Sequence, residues 1–199
     1  AFGAYKYINR VKNVELQGSD EELKISQETQ EKSKKENIEN ILLLGVDKEE
    51  NASDTIMVLS LDKDDNTAKL TSIMRDLNVD LGESNNVHKI NYAYHYGGVE
   101  GSVSALNKLF DLDINKYVKI DFEGLKNVID YIGGIELSVT AEESKIIGLS
   151  KSGNVKLNGK QALEYSRIRK IDNDYYRTNR QRKVIMAIFN KAKSIEDRK

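Results

Sequence analysis

The pattern of hydrophobic and polar positions along this chain changes once, near Asn40. Before that point "QGSDEELKISQETQEKSKKENIE" (17–39) is almost purely polar, which predicts a linker or flexible loop. The "SDEE" within it is also a helix-capping signal, so a solvated helix is the alternative. Residues 1–16 are mildly amphipathic and suit a stalk or short arm. After Asn40, "ILLLGV" (41–46) and "DTIMVLSL" (54–61) are continuous apolar runs, short enough for strands buried on both faces. "TAKLTSIM" (67–74) predicts a third strand after the turn "DKDDN". Helical spacing follows at Val99, Val103, Leu106 and Phe110, with a break expected at Gly97-Gly98. "KYVKID" (116–121) and "IELSV" (135–139) predict strands. Between them lies a helix with Leu125, Val128, Ile129 and Ile132 on one face, stopped by Gly133-Gly134. A helix capped at Asn158 and a long final helix over 175–194 complete the pattern. Strands alternating with helices predict one α/β domain with a mixed sheet over 40–199, preceded by a stalk and linker over 1–39.

Composition narrows the function classes. The chain has 199 residues, a net charge of −1 and no cysteine, which excludes structural disulfides and thiol chemistry. Near-zero charge argues against a global field that draws the chain to nucleic acid. Any anion must meet a local patch, and one is visible. The chain holds eight arginines, and Arg167, Arg169, Arg177, Arg180 and Arg182 lie together in "YSRIRKIDNDYYRTNRQRK" (165–183). Arginine offers a planar fork of donors that fits carboxylate or phosphate oxygens, where lysine is a point charge. Arg177, Arg180 and Gln181 share a face of the final helix, near its N-terminus. Arg167 and Arg169 share a face only if the preceding helix unwinds near Ser166. The bland alternative is a solvated basic face partnered by Asp172 and Asp174, and for Arg180 and Arg182 singly that is the preferred reading.

Acidic residues mark the strand ends. Asp47 closes the first apolar run and Asp54 opens the second, so a hairpin brings both to one sheet edge. Two carboxylates with open positions suit Mg²⁺ bridging to substrate phosphates, although Asp at strand ends is also common turn chemistry. Arg75 and Asp76 follow the third strand, as a site pair or a structural ion pair.

Taken in order, "NILLLGVD", "SDTIMVLSLD", "LTSIMRDLNVDL", "HKINYAYHYGG", "LNGKQALEYSRIR" and "DYYRTNRQR" resemble the LytR-CpsA-Psr family of cell-wall proteins, from about Asn40 to Ile188. The resemblance implies a three-layer α/β/α sandwich on the extracytoplasmic face of a Gram-positive-type cell membrane, held by an upstream anchor outside this chain. It implies phosphotransfer of a glycan, such as teichoic acid or capsule, from a polyprenyl-pyrophosphate carrier to peptidoglycan; the near-zero net charge and the acidic strand ends argue against a nucleic-acid partner. Asp47 and Asp54 match the family's metal-site aspartates, for Mg²⁺ or alternatively Mn²⁺. Arg75, Lys89, Arg167, Arg169, Arg177 and Gln181 match its pyrophosphate-binding set, and Asn91 completes the "KIN" motif. Asp76 is the candidate general base. Three departures stand out: Met74 where the family has proline, Ala52 where it has arginine, and Lys48 nearest the first aspartate in place of an arginine. The rival functions are a pyrophosphatase with water as acceptor and a non-catalytic carrier binder or wall regulator.

Overall fold

The computed structural model describes residues 14–16, 18–47, 52–80, 87–169, 171 and 174–196. The expectations for residues 1–13, Lys48 and Asp172 lie outside them. The chain divides into two compact units, the first ending at Ile120 and the second beginning at Asp121. The fold is α/β, with a mixed sheet and flanking helices as expected.

In the first unit, strand β1 (Val14–Glu15) and helix α1 (Gln27–Glu36) precede strands β2 (Ile38–Asp47), β3 (Ala52–Asp62) and β4 (Thr67–Ile73). A short ribbon of β5 (Asn78–Asp80) and β6 (Val87–Lys89) leads into helix α2 (Tyr92–Phe110) and strand β7 (Lys116–Asp121). The five-stranded sheet has the order β1-β7-β2-β3-β4, with β2, β3 and β4 joined as an antiparallel meander. The runs predicted as doubly buried strands are so. Leu42, Leu44, Ile56 and Val58 form one row against Val99, Val103 and Leu106 of α2, and Ile41, Met57 and Leu59 on the opposite row are also buried. Helix α2 breaks at Gly98 (φ 61°, ψ −144°), a conformation essentially closed to residues with a Cβ. Phe110, expected on the buried face, is 42% exposed instead, because it is the last helical residue before Asp111 turns left-handed.

The polar stretch 17–39 departs from the flexible linker that its composition suggests. Ser19 and Glu22 cap a turn reciprocally, Ser26 caps α1 through Thr29 N–H, and Leu23 and Ile25 enter the core of the first unit. Two apolar residues suffice to anchor the segment. The helix that follows buries only Thr29, so its sequence carries no apolar stripe to announce it.

The second unit contains helix α3 (Phe122–Tyr131), strand β8 (Ile135–Val139), helix α4 (Ala141–Ile146), strand β9 (Gly153–Leu157) and helices α5 (Gly159–Ser166) and α6 (Asp174–Glu196). Strands β8 and β9 pair as an antiparallel ribbon. Ile129, Ile135, Leu157, Ala162 and Tyr165 are fully buried in its core. Asn158 caps α5 in a box with Gln161, as predicted. Val128 is 39% exposed, so the inward face of α3 is narrower than its apolar pattern implied. Among the described residues no helix is long and apolar enough to cross a membrane.

Two stability predictions follow from the first unit. Asn107 is buried and clasps the backbone on both sides: its Nδ2 donates to Leu23 O (2.9 Å) and Ile114 O (3.0 Å), and its Oδ1 accepts from Ile114 N (2.9 Å). Asn107→Ala orphans those groups and is expected to cost about 2–4 kcal/mol in urea unfolding at unchanged m-value. Burial alone would raise the Glu39 carboxyl, yet hydrogen bonds and charge from Lys116 and Lys63 outweigh it and hold the group below the usual glutamate range. Its contribution to stability is therefore complete above the ordinary glutamate value and lost as pH falls through the depressed one. A Glu39→Gln chain should show a flatter acid limb in thermal unfolding measured across that window.

Candidate functional site

In the first unit the register of the β2–β3 pair places the acidic residues. Gly45 faces Thr55, but Val46 faces Ser53, so Asp54 is the extra residue of a bulge. Such bulges re-aim a side chain at the end of a ladder. Gly45 is the sequence signal for it: a Cβ there would lie 3.0 Å from Thr55 Cβ, and glycine inside a strand marks a bulge or a close approach. Asp47 pairs with Ala52, so both aspartates lie at one end of the hairpin, as the sequence predicted.

The bulge presents Asp54 to the turn after β4. Arg75 Nη1 donates to Asp54 Oδ1 at 2.6 Å, and both side chains are less than one quarter exposed. The turn is held by Leu77 N–H to Met74 O (3.0 Å), and it is stitched to the segment after β6 by Asn91 N–H to Arg75 O (3.2 Å). Asp76 keeps the expected ion pair with Arg75, at 3.8 Å from Nε, and is bound more closely by Lys89 Nζ at 2.6 Å. Adjacent residues in a tight turn diverge, which leaves Arg75 to reach the sheet edge and Asp76 to reach β6. The outcome is a row of alternating charge, Asp54–Arg75–Asp76–Lys89, drawn from three separate stretches of sequence. Within it, Arg75 Nε and Asn91 Oδ1 are buried with no hydrogen-bond partner among the described residues. Orphaned buried polar atoms are rare in native structures, and a water, an ion or a ligand group is among the things that complete them.

A divalent cation fits the hairpin end in its donor chemistry. Arg75 occupies one oxygen of Asp54, while an ionised carboxylate has about four lone-pair sites. Mg²⁺ typically takes one or two carboxylates and completes its shell with water and phosphate oxygens. Among the described residues no cluster of three or more acidic, histidine or cysteine ligands exists.

In the second unit the arginines divide by burial. Helix α5 ends at Ser166, where unwinding was expected, and Arg167 takes a non-helical turn (φ −100°, ψ 1°) with its guanidinium 4.4 Å from the Phe122 ring centroid. Arg167 and Arg169 are both exposed. Arg177 and Arg180 are buried on the face of α6 that continues to Val184, and Gln181 is half-buried beside them. Arg180 Nη2 donates to Ile168 O (2.9 Å), and its Nη1 lies 3.4 Å from Glu143 Oε1. Arg182 donates to Asn179 Oδ1 (3.1 Å). The reading of Arg180 and Arg182 as outside the phosphate-binding set agrees with these contacts. Arg180 is a buried tie rather than the solvated charge that the sequence suggested. The side chain of Asp174, a proposed partner for the arginines, lies outside the described residues.

Comparison with known proteins gives consistent results. The LytR_cpsA_psr family model matches residues 6–197. A polyisoprenyl-teichoic acid–peptidoglycan teichoic acid transferase, TagU, of Bacillus cereus is 36% identical over 169 residues, covering 82% of this chain and 56% of that protein. TagU of Bacillus mycoides is 37% identical over 172 residues, 84% of this chain and 56% of that protein. The chain thus spans a little over half the length of these relatives. Among solved structures, TagT bound to LI-WTA superposes with a TM-score of 0.73 at 30% identity, covering 79% of this chain and 65% of that one. TagT (YwtF) with bound octaprenyl pyrophosphate lipid gives 0.69 at 27% identity, with the same coverage.

Burial separates the arginines experimentally. Arg180→Ala strips a buried carboxylate of its cation and is expected to destabilise the chain by about 3 kcal/mol. Arg169→Ala should change stability by no more than about 0.5 kcal/mol. Chemical unfolding of the two variants side by side checks the division.

Proposed function

The chain belongs to the LytR_cpsA_psr family, and from that premise we propose that it is a phosphotransferase that moves a phosphoglycan of the wall from a polyprenyl-pyrophosphate carrier to peptidoglycan, on the outer face of the cell membrane. The observation that carries this reading is the Asp54–Arg75–Asp76–Lys89 row at the hairpin end, with Arg75 Nε and Asn91 Oδ1 buried inside it and unsatisfied among the described residues. A pyrophosphate offers oxygens that such donors bind, and a sugar hydroxyl offers the donor that Asn91 lacks.

In this reading Arg75 is held by Asp54, so its fork meets the phosphate oxygens without first being ordered. Lys89 adds a second cation and fixes Asp76. The attacking hydroxyl of the acceptor sugar forms a new bond to the phosphorus that carries the glycan, its proton passes to Asp76, and the bond from that phosphorus to the bridging oxygen breaks. The electron pair leaves with polyprenyl phosphate. Asp47 and Asp54 would hold Mg²⁺, which supplies neutralisation of the charge on the transferred phosphate. In the second unit the proposal assigns phosphate contacts to Arg167, Arg169, Arg177 and Gln181, the residues that the family resemblance marks for that role.

The test is transfer of a labelled glycan from a polyprenyl-pyrophosphate donor to peptidoglycan oligomers, with products separated by mass. Arg75→Ala and Arg167→Ala are each expected to lower the rate by about a hundredfold or more, with Asp76→Asn lowering kcat rather than raising KM. Glycan phosphate released to water, with none on peptidoglycan, identifies a pyrophosphatase instead.

A further inference from the structure

Both histidines of the chain lie in one cluster with two tyrosines, on a face of the first unit that the proposed reaction does not use. His88 of β6 and Tyr92, His95 and Tyr96 of α2 have ring centroids 5.2–6.4 Å apart. Tyr92 is 43% and Tyr96 56% exposed. Aromatic rings of this size are normally drawn into a core, and here a row of them faces water.

Two of these rings, His88 and Tyr96, stand at a groove of about 280 Å³. Lys24, Asp80, Ser104 and Lys108 supply polar groups around it. Its floor consists of Ala93, Gly97, Gly101 and Ala105, small enough for a ligand to approach the backbone of α2. At Gly97 no atom lies within 4 Å of where a Cβ would be. Asp80 and Lys108 lie 4.0 Å apart and offset one another, so the site carries charge of both signs, with Lys24 as one cation in excess.

We propose that this groove is a carbohydrate subsite, receiving a neutral sugar ring stacked on Tyr96. The C–H face of a sugar is apolar and suits an aromatic wall, whereas its hydroxyl edge needs the mixture of donors and acceptors that Lys24, Asp80, Ser104 and Lys108 offer. A lipid tail would leave those charges without water, and a phosphate would make no use of the aromatic wall and would meet Asp80 beside the two lysines. The two sources of such a ring are the acceptor glycan strand and the transferred polymer. We assign the acceptor strand, and that choice of source rests on the transferase reading above.

The experiment is a two-dimensional amide NMR titration of the full chain with a soluble β-1,4-linked N-acetylglucosamine tetramer and, separately, with a glycerol phosphate oligomer. The tetramer is expected to give saturable shifts at His88, Gly97, Gly101 and Ser104. Tyr96→Ala should weaken it about tenfold, and Gly97→Leu, which fills the groove with no loss of an existing contact, should do so at least as much. Shifts centred elsewhere, affinity unchanged in both variants, or preference for the polyol phosphate would overturn the assignment. A chain that binds the tetramer here yet transfers no glycan to peptidoglycan retains the groove and loses the transferase reading. A chain that transfers but shows no tetramer-dependent shifts here retains the transferase reading and loses the groove.

Discussion

The pairing of β2 with β3 is the constraint on which the first unit depends, and its apolar residues alone do not determine it. A strand buried on one face resists slipping, because a shift by one residue turns its apolar set to water. Strand β2 is apolar on both rows, so a slipped register buries nearly as much. Polar partners remove the ambiguity. Ser60 Oγ donates to Asn40 Oδ1 at 2.6 Å across the registered pair, and Asn40 Nδ2 donates to Asp113 Oδ1 at 2.7 Å. Glu39, held by Lys116 of β7 and by Lys63, binds the same end of β2 to its neighbours on both sides. Gly45 admits Thr55 at the other end. A shifted register would orphan Asn40 and would carry Asp54 away from Arg75. The charged row at the hairpin end therefore depends on three polar positions a whole strand length away.

Much of this architecture was legible in the residues. The two apolar runs, the turn "DKDDN", the break at Gly97-Gly98 and the cap at Asn158 each carry a local physical signature, and each lies where that signature placed it. Elements with a weaker signature are missed, as β9 is, or read only as an alternative to a linker, as α1 is. Strand β9 has Val155 and Leu157 as its apolar positions, too few to form a pattern. Helix α1 is solvated almost all round, and the anchors of its segment, Leu23 and Ile25, precede it. The same limit applies at the candidate site. That Asp47 and Asp54 share an edge follows from hairpin geometry. That Arg75 pairs more closely with Asp54 than with its neighbour Asp76 follows from a bulge, whose one sequence mark is Gly45.

The concentration of arginine in the C-terminal region has two physical origins, which composition merges. Guanidinium is more weakly hydrated than ammonium and tolerates burial when its donors are used. Arg180 shows this directly: it joins α6 to the carbonyl of Ile168 and to Glu143 at the start of α4, and a lysine could not reach both. Arg167 and Arg169 remain at the surface. A switch from lysine to arginine thus signals demanding geometry, without saying whether the fold or a ligand makes the demand: Arg180 serves the fold, whereas Arg177, equally buried, is assigned to a phosphate under the proposed function.

The β5–β6 ribbon joins the two candidate sites of the first unit through the simplest periodicity in protein structure. Successive strand residues point to opposite faces, so Lys89 reaches Asp76 while its neighbour His88 turns to the aromatic groove. Two three-residue strands are marginal by themselves. This pair is held by burial of Val79 and Ile90 and by Ile90 N–H to Leu77 O at 2.7 Å, the same stretch that positions Arg75. A ligand that orders the groove side of β6 thereby orders Lys89 and Asp76 on the other. If a sugar ring fills the groove, its binding energy is available to tighten the charged row before any phosphate arrives, which is how a remote contact on a substrate comes to assist the reacting centre.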